Sequence, residues 1–465
     1  MGLAEIKLWP HQIKMAEFAL ARDGAGLWAQ MRTGKTLTAL AVAHEMKAER
    51  ILILAPRVPA KGWLAQINEH LAGLNFPAPL LLNEGSVAQR VELLREHWIE
   101  HKGRITPILN YEAATREPMK SALLACKWPL LIMDELHRGK GPTSLASKLL
   151  RDKLRQRADR RVGLSGTPTP QGYVDYYGVY SAISRDVFGL DYWAHFKRRY
   201  VVCGNPRIPQ QITGFRDTDE IDARVAKWAI SVREQDCWDV PMPEESWLWV
   251  DLCDKTRRAY DALEAEMIAQ VEHGEIVAAN ALVKALRLQQ LAGGVAVTGE
   301  GDDCKPHRIS EEKGEELAGF LEDRFEPVVV FAQFLADLDV TRSVASRLGR
   351  PYSQISAGLD GEAEFHAAVA QGKMPIIGCQ IQAGSEGIEL SDARLEIFLS
   401  TGYSAFRYQQ ARARIKGHKQ KHRTHYVHIG ARNTIDEAVA QALEKKLSFE
   451  EAVLARLHYK GAVHA

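Results

Sequence analysis

The sequence has few cysteines, no long apolar run and no opening segment of the targeting type. Its six cysteines are scattered without a C-x-x-C pair, which indicates a reducing compartment and argues against a zinc cluster or a disulfide framework. The longest apolar runs, such as ILILA and VVVFA, have the length of strands, whereas a membrane span needs about 18 residues. Since neither a signal peptide nor a myristoylation signal opens the chain, we expect a cytoplasmic protein with no membrane partner.

The charge balance also lacks an excess of either sign, with 60 basic against 59 acidic side chains. Any contact with nucleic acid must therefore come from a local groove, because the chain has no overall basic field. A composition of 46% hydrophobic and 26% charged residues over 465 positions is that of a globular protein with two or three domains.

Short apolar runs alternate with helical patterns in two parts of the chain, residues 25–168 and residues 327–430. Continuous apolar character, as in PLLIMDE, is typical of strands buried on both faces of a parallel sheet. The pattern predicts an α/β protein with two parallel-sheet lobes. Two helices are expected at about 254–291, where apolar residues recur three and four positions apart.

The stretch AQMRTGKT resembles a phosphate-binding loop, with Gly34, Lys35 and Thr36 in place and Ala29 where the first glycine is usual. An apolar strand precedes it and a helical pattern follows, so its amides would lie at the positive end of a helix dipole. Lys35 would reach the β- and γ-phosphates, and the Thr36 hydroxyl would hold Mg²⁺. A chance occurrence of Gly-Lys-Thr is the alternative.

A second candidate element is LLIMDELH, where an apolar strand ends in Asp134 and Glu135. In a phosphate-loop fold this end of the strand faces the nucleotide. Asp134 would then hold the metal through water, and Glu135 would orient and deprotonate the attacking water. The alternative is an ordinary solvated turn, but the order of the two elements along the chain favours a nucleotide site.

Together with RVGLSGTPTP, QIQAGSEGIEL and YQQARARIKGHKQ, the DELH element resembles the Swi/Snf-like branch of superfamily-two helicases, in particular compact phage forms. The resemblance runs from LWPHQ to about residue 445. It implies two RecA-like parallel-sheet domains with helical insertions, using ATP and Mg²⁺. The expected organisation is an ATP-binding lobe at 1–180, a mainly helical protrusion with a basic and aromatic surface at 181–240, and a second lobe at 241–465.

The resemblance also implies roles for individual positions. Besides the catalytic Lys35, Asp134, Glu135 and Arg414, nucleotide contacts are expected from Gln12, Arg32, Thr33, Gly34, Lys35, Thr36, Gly387 and Gln410. Gln12 would read the adenine edge. Nucleic-acid contacts are expected from Arg57, Lys61, Trp63, Asn110, Tyr111, Gly166, Thr167, Gln382, Gly384 and Ser385. For the glycines, a role in core packing is the alternative.

The last motif departs from the family pattern. Gln410, Ala411, Arg414 and Gln420 are in register, but Gly417 stands where a second arginine is expected. An arginine finger is worth about 10³ to 10⁵ in the rate of phosphoryl transfer. Three explanations stay open: Arg414 suffices, a neighbour among Arg412, Lys416 and Lys419 replaces the missing arginine, or hydrolysis is slow until a partner binds.

The resemblance implies an ATP-dependent translocase on double-stranded or branched DNA that remodels forks, junctions or protein–DNA complexes in a bacterial or phage-infected cell. One alternative is a strand-separating helicase of the DEAD/DEAH type acting on DNA or RNA. Another is an ATP-dependent DNA-binding scaffold with weak hydrolysis. A nuclease or replication protein acting in trans is a conceivable partner that no residue specifies.

Overall fold

The computed structural model describes residues 5–57, 59–166, 168–169, 172–205, 208–233, 236–237, 243–272, 278–298, 305–384, 388–402, 404–416, 420 and 422–445. The chain divides into two compact units, Met1–Asp239 and Val240–Ala465. Within the described part, no helix is long and apolar enough to cross a lipid bilayer.

The first unit alternates strands and helices along the chain. Its strands are β1 (Gly24–Ala29), β2 (Ile51–Leu54), β3 (Ala78–Leu81), β4 (Ile105–Leu109), β5 (Trp128–Asp134), β6 (Ala158–Ser165), β7 (Val201–Asn205), β8 (Ile208–Phe215) and β9 (Ala229–Val232). Its helices are α1 (Pro10–Leu20), α2 (Lys35–Glu45), α3 (Pro59–His70), α4 (Val87–Glu100), α5 (Tyr111–Ala114), α6 (Met119–Ala125), α7 (Leu145–Asp152), α8 (Tyr173–Ile183), α9 (Trp193–Tyr200) and α10 (Thr218–Val225). Short 3-10 helices lie at Leu136–Gly139, Leu154–Arg157 and Arg185–Val187.

Seven of these strands form one parallel sheet in the order β3-β4-β2-β5-β6-β1-β9. The continuous apolar strands have both faces covered, as shown by β2, in which every residue is buried. One core contains Trp28, Leu131 and Tyr177, and the core on the other face contains Leu27 and Ile132. This two-faced burial is why the strands have no alternating pattern.

The second unit repeats this architecture. Its strands are β10 (Glu244–Val250), β11 (Val295–Thr298), β12 (Lys305–Arg308), β13 (Val328–Ala332), β14 (Tyr352–Ser356), β15 (Leu359–Asp360), β16 (Ile376–Gln380), β17 (Leu395–Phe398) and β18 (His425–Ala431). Its helices are α11 (Asp254–Glu272), α12 (Ala278–Ala292), α13 (Glu312–Glu322), α14 (Leu335–Arg347), α15 (Glu362–Ala370), α16 (Ile381–Gly384), α17 (Ala405–Arg412) and α18 (Ile435–Lys445).

The second sheet also has seven strands, in the order β10-β18-β17-β13-β16-β14-β15. All neighbours are parallel except β14 and β15, which form an antiparallel pair at one edge. Its two faces carry separate cores, one around Val330 and Ile397 and the other around Phe331 and Phe398. The fold class expected from the sequence, two parallel-sheet α/β lobes, is confirmed, and α11 and α12 occupy the place expected for the helical insertion.

Residues 181–240 differ from the sequence expectation. The segment contains α9 and α10, but also the antiparallel hairpin β7–β8 and the strand β9. Since β9 pairs with β1 and closes one edge of the first sheet, the segment is part of the first unit and is not a mainly helical protrusion. The short apolar stretch AISV has no turn residues at its ends, which were the signal used to predict strands. It forms a strand because it pairs with β1.

Candidate nucleotide site

Three neighbouring strands bring the candidate motifs to one edge of the first sheet. β6 lies between β1, which leads into the phosphate loop, and β5, which ends at Asp134. In the paired register Trp28 lies opposite Ser165, and Leu164 lies opposite Asp134. All three strands run in the same direction, so their carboxyl ends meet at the edge where open α/β sheets bind ligands.

The loop after β1 has the backbone geometry of a phosphate cradle. Gly34 has φ of 78° and Arg32 has φ of 65°, both in the left-handed region. A Cβ at Gly34 would lie 2.0 Å from Gln12 Nε2, so a larger residue would displace the Gln12 amide and would also strain the left-handed backbone. Gly34 is the N-cap of α2 and offers no side chain to cap the helix. The start of α2 therefore suits an anion, which supports the predicted binding of phosphate.

Two residues of the loop are held by its own backbone. The Lys35 Nζ donates to the carbonyl oxygens of Ala29 at 2.7 Å and Gln30 at 3.0 Å, so the ammonium lies across the loop. Thr33 is fully buried, and its Oγ1 donates to Gln30 O at 2.8 Å. Burial raises the pKa of Asp134, and the positive charge of Lys35 acts in the opposite direction. The ammonium is thus held at the loop, and its charge acts on the acidic strand end.

Two side chains of α1 hydrogen-bond to the backbone of the loop. His11 Nε2 is 2.9 Å from the carbonyl oxygen of Thr33, and Gln12 Nε2 donates to Gly34 O at 3.2 Å. Gln12 Oε1 accepts from the Trp9 amide at 2.8 Å, and the side chain is 1% exposed. In this structure the amide of Gln12 supports the loop, and its reading of adenine stays a prediction.

Asp134 is a buried carboxylate with several neighbours. Its Oδ2 accepts from Trp63 Nε1 at 2.8 Å, and its Oδ1 accepts from the amide of Glu135 at 3.0 Å. Tyr111 OH donates to its backbone oxygen at 2.7 Å. Burial and the charge of Glu135 raise the pKa of Asp134 to about 6, against the opposing effects of Trp63 and Lys35. A buried carboxylate whose negative charge is disfavoured in this way gains most from a bound cation.

Glu135 joins two other motif residues. Its φ of 49° places it in the left-handed region as the chain leaves β5. The Glu135 Oε2 lies 3.2 Å from His137 Nδ1 and 3.5 Å from Ser165 Oγ, which donates to it. The His137 Nδ1 and Ser165 Oγ are 3.3 Å apart. The carboxylate that is predicted to orient the attacking water is thus linked to Ser165 at the end of β6.

The oxygen donors near the loop fit a hard divalent cation. Each carboxylate oxygen of Asp134 accepts a single hydrogen bond described above and keeps further acceptor capacity. Thr36, in the first turn of α2, is partly exposed and supplies a hydroxyl. A carboxylate, a hydroxyl and phosphate oxygens are a donor set that Mg²⁺ accepts. Thr36 and Asp134 are therefore the residues that would hold it.

The predicted nucleic-acid residues of the first unit separate into two groups. Arg57 and Lys61 are exposed, and Asn110 is partly buried. Trp63 is only 1% exposed and Tyr111 only 3%, and both donate to Asp134. Both side chains are closed off from the surface in this structure, so contact of these two aromatic residues with nucleic acid stays a prediction that their burial does not support.

In the second unit the predicted residues of α17 and the turn after it are mostly buried. Gln410 is 2% exposed and Arg414 is 8% exposed. Arg414 donates through Nε to Gln410 O at 3.1 Å and through Nη1 to Ile388 O at 3.0 Å. The guanidinium is therefore held by backbone carbonyls within its own unit, and a role in hydrolysis stays a prediction.

Arg412, one of the candidate replacements for the missing arginine, is bound elsewhere. Its Nη2 lies 3.0 Å from Glu245 Oε2, and its guanidinium lies 4.4 Å from the centre of the Tyr426 ring. Glu245 also accepts from Tyr408 OH at 3.0 Å and lies 3.2 Å from His428 Nε2. The contact with His428, followed by the charge of Arg412, lowers the pKa of Glu245 to about 2. Arg412 thus joins α17 to β10, which argues against its use as a replacement.

The remaining predicted positions have mixed outcomes. Gly166 follows β6 and is partly buried, Gln382 is exposed on α16, and Gly384 ends that helix. Thr167, Ser385, Gly387, Gly417 and Lys419 lie outside the described residues.

Sequence reasoning missed the contacts that His11, Trp63 and His137 make at the site. It also missed the contact of Glu245 with Arg412 in the second unit. For His137 a signal existed, because it belongs to the DELH element. For Trp63 and Glu245 none existed, because their partners lie 71 and 167 residues away in the chain.

A phosphate loop and an Asp-Glu pair at the carboxyl edge of a parallel sheet define the class of P-loop α/β proteins. Within this class, the chain belongs to the SNF2-related domain family, whose match covers residues 11–292. The Swi/Snf-like resemblance is therefore confirmed, and membership of this family of ATPases implies the use of ATP.

Several relatives are similar over most of the chain. "Putative protein p41" of Acyrthosiphon pisum secondary endosymbiont phage 1 is 24% identical and covers 97% of this chain and 98% of its own length. The mouse chromodomain-helicase-DNA-binding protein 1-like is 21% identical over 98% of this chain, which spans 51% of that relative. A solved SWI2/SNF2 ATPase core of Sulfolobus solfataricus in complex with dsDNA has a TM-score of 0.44 and 18% identity, covering 95% of this chain and 91% of its own.

Proposed function

We propose that this protein is an ATP-driven translocase on double-stranded DNA that remodels forks, junctions or protein–DNA complexes. The observation that carries the proposal is the convergence of Lys35, Asp134 and Glu135 at one edge of the first sheet. The family membership supports hydrolysis of ATP. Relatives named as chromatin remodellers and DNA helicases support DNA as the partner.

Each residue of the site has a chemical task in this proposal. The amides at the start of α2 and the Lys35 ammonium bind the phosphates, and the Thr36 hydroxyl and Asp134 hold Mg²⁺. When bound, the metal neutralises charge on the phosphates and orients them for in-line attack. Glu135 accepts a hydrogen bond from the attacking water and takes its proton, and Arg414 is the proposed catalytic arginine of the second unit.

The exposed Arg57 and Lys61 are proposed to contact the phosphate backbone of the duplex, and Asn110, Gln382 and Gly384 are proposed to line the same path. Such contacts carry little information about base sequence. We therefore expect binding that is independent of sequence and that weakens with rising salt, as counterions are released from DNA.

The test is steady-state ATP hydrolysis with duplex DNA, branched DNA, single-stranded DNA and RNA in parallel. We expect duplex or branched DNA to stimulate hydrolysis most. Stimulation by RNA alone would contradict the proposal, and displacement of a strand from a tailed duplex would favour a strand-separating helicase. Displacement of a third strand from a triplex, without unwinding of the duplex, is the expected signature of translocation.

A second candidate function is an ATP-dependent DNA-binding scaffold with weak hydrolysis. Two observations favour it: Gly417 stands at the position of the second arginine, and Arg412 is bound to Glu245. On this hypothesis Gly417→Arg raises turnover with saturating DNA, and Lys35→Ala impairs nucleotide-dependent binding only. Rapid turnover by the wild-type protein excludes the scaffold.

A further inference from the structure

We infer that Trp63 and Tyr111 are positioning residues that couple nucleic-acid binding on the first unit to the carboxylate of Asp134. The inference rests on the proposed function, since it requires that the exposed residues of α3 contact DNA. It assigns to two buried aromatic side chains a role that their sequence positions alone do not indicate.

The first link runs through α3. Its buried positions, Ala60, Trp63 and Ile67, lie three and four residues apart and form one helical face against the core. Lys61 lies on the exposed side, one half-turn of helix before Trp63. A helix of this length moves as a rigid element, so a displacement imposed at Lys61 is transmitted to the indole. Trp63 Nε1 donates to Asp134 Oδ2 at 2.8 Å, so the displacement reaches the carboxylate directly.

The second link runs through the end of β4. Asn110 is partly exposed at the N-cap of α5, and the next residue, Tyr111, is buried at 3% exposure. The Tyr111 hydroxyl donates to the backbone oxygen of Asp134 at 2.7 Å. This contact holds the main chain at the strand end, whereas the contact of Trp63 holds the side chain.

The two links constrain different parts of one residue. With the amide of Glu135 on Oδ1, Asp134 has one donor on each carboxylate oxygen and a third donor on its backbone oxygen. These contacts fix the orientation of the carboxylate, and its remaining lone pairs would bind a metal. A nucleic acid that orders α3 and α5 therefore orders Asp134, and the effect is reciprocal: a bound nucleotide with its metal favours the same arrangement of Lys61 and Asn110.

The experiment measures this coupling at equilibrium, without turnover. The dissociation constant of a non-hydrolysable fluorescent ATP analogue with Mg²⁺ is determined with and without saturating duplex DNA, and the ratio is the coupling factor. For the wild type we expect a factor in the usual range of about 5 to 150. In Trp63→Phe, which keeps an aromatic ring but loses the donor, the factor falls to within about twofold of one.

Matched controls separate this role from a general loss of stability. Trp128 is equally buried and donates through Nε1 to Leu123 O at 3.0 Å, so Trp128→Phe loses the same donor away from the site. Tyr177 is also buried, with its hydroxyl 3.4 Å from Leu190 O. Trp128→Phe and Tyr177→Phe keep the wild-type coupling factor, whereas Tyr111→Phe lowers it.

The outcomes are distinct. A Trp63→Phe or Tyr111→Phe protein that binds both ligands with undiminished coupling overturns the inference. If Trp63→Phe fails to fold, Tyr111→Phe decides, because it removes a single oxygen atom. A wild-type protein that binds nucleotide and duplex DNA independently also overturns the inference, whereas a wild-type protein whose ATP hydrolysis duplex DNA does not stimulate contradicts the proposed function itself. A loss of coupling in the two control variants as well shows that the effect is one of stability.

Discussion

Replacing Gly34 with alanine is a direct test of the loop geometry. The backbone of Gly34 has φ of 78°, which an alanine adopts only with strain, and the added Cβ would lie 2.0 Å from Gln12 Nε2. The Gln12 amide would have to move, and its hydrogen bonds to Gly34 O and the Trp9 amide would be lost. One methyl group thus disturbs both the left-handed turn and its support from α1.

The magnitude follows from these terms. A non-glycine residue in the left-handed region costs about 1–2 kcal/mol, and each lost hydrogen bond costs about 0.5–1.5 kcal/mol. With two hydrogen bonds lost, the total of about 2–5 kcal/mol corresponds to a loss of about 30- to 5,000-fold in nucleotide affinity, because the bound phosphate requires this conformation of the loop.

The assay is an equilibrium titration of Gly34→Ala with a fluorescent ATP analogue, accompanied by thermal unfolding. Gly62→Ala is the matched control: nothing lies within 4 Å of an added Cβ on this helical glycine, so stability rises by about 0.5–1 kcal/mol and affinity stays unchanged. Adding Gln12→Ala to Gly34→Ala relieves the clash and leaves the backbone strain. A Gly34→Ala protein that binds nucleotide within threefold of the wild type refutes the reasoning.

Three further predictions concern both units. Lys313 and Asp436 form a buried ion pair at 2.7 Å, with each side chain 7% exposed. Lys313→Met removes the partner of Asp436, and urea unfolding should show a loss of about 3–5 kcal/mol in the free energy of unfolding. A loss below about 1 kcal/mol would show that other donors suffice. The folded-state pKa of Glu245 is lowered to about 2 from 4.5, so its stabilisation is full above about pH 4.5 and is lost as the pH falls through 2. Thermal unfolding of Glu245→Gln should therefore be less sensitive to acid, and an unchanged profile would contradict this assignment. Lys35→Ala should abolish ATP hydrolysis while duplex DNA binding in a filter assay stays intact; residual hydrolysis near wild type would exclude Lys35 from the site.

The nucleotide motifs were readable from the sequence because their chemistry is local. Gly34, Lys35 and Thr36 are consecutive, and a strand and a helix flank them on either side. Asp134 and Glu135 follow a continuous apolar strand, which the structure confirms as β5. The same continuous patterns predicted two parallel sheets, since strands covered on both faces must be apolar throughout.

Elements with weak local patterns were not readable in this way. β9 has four residues and becomes a strand by pairing with β1. Trp63 and Tyr111 lie in segments that the family associates with nucleic acid, and their spacing does not show which side of the helix faces the core. Whether Arg412 was available as a second arginine depended on Glu245, a residue of β10 that is distant in the chain.

By its own pattern, the sequence determined the two α/β lobes, the phosphate loop and the acidic strand end, because hydrophobic period and motif spacing involve residues close together in the chain. The tertiary structure decided which side chains surround Asp134 and which arginine is bound by Glu245. These contacts join residues far apart in the chain, and only the packing of helices on the sheets brings such residues within hydrogen-bond distance.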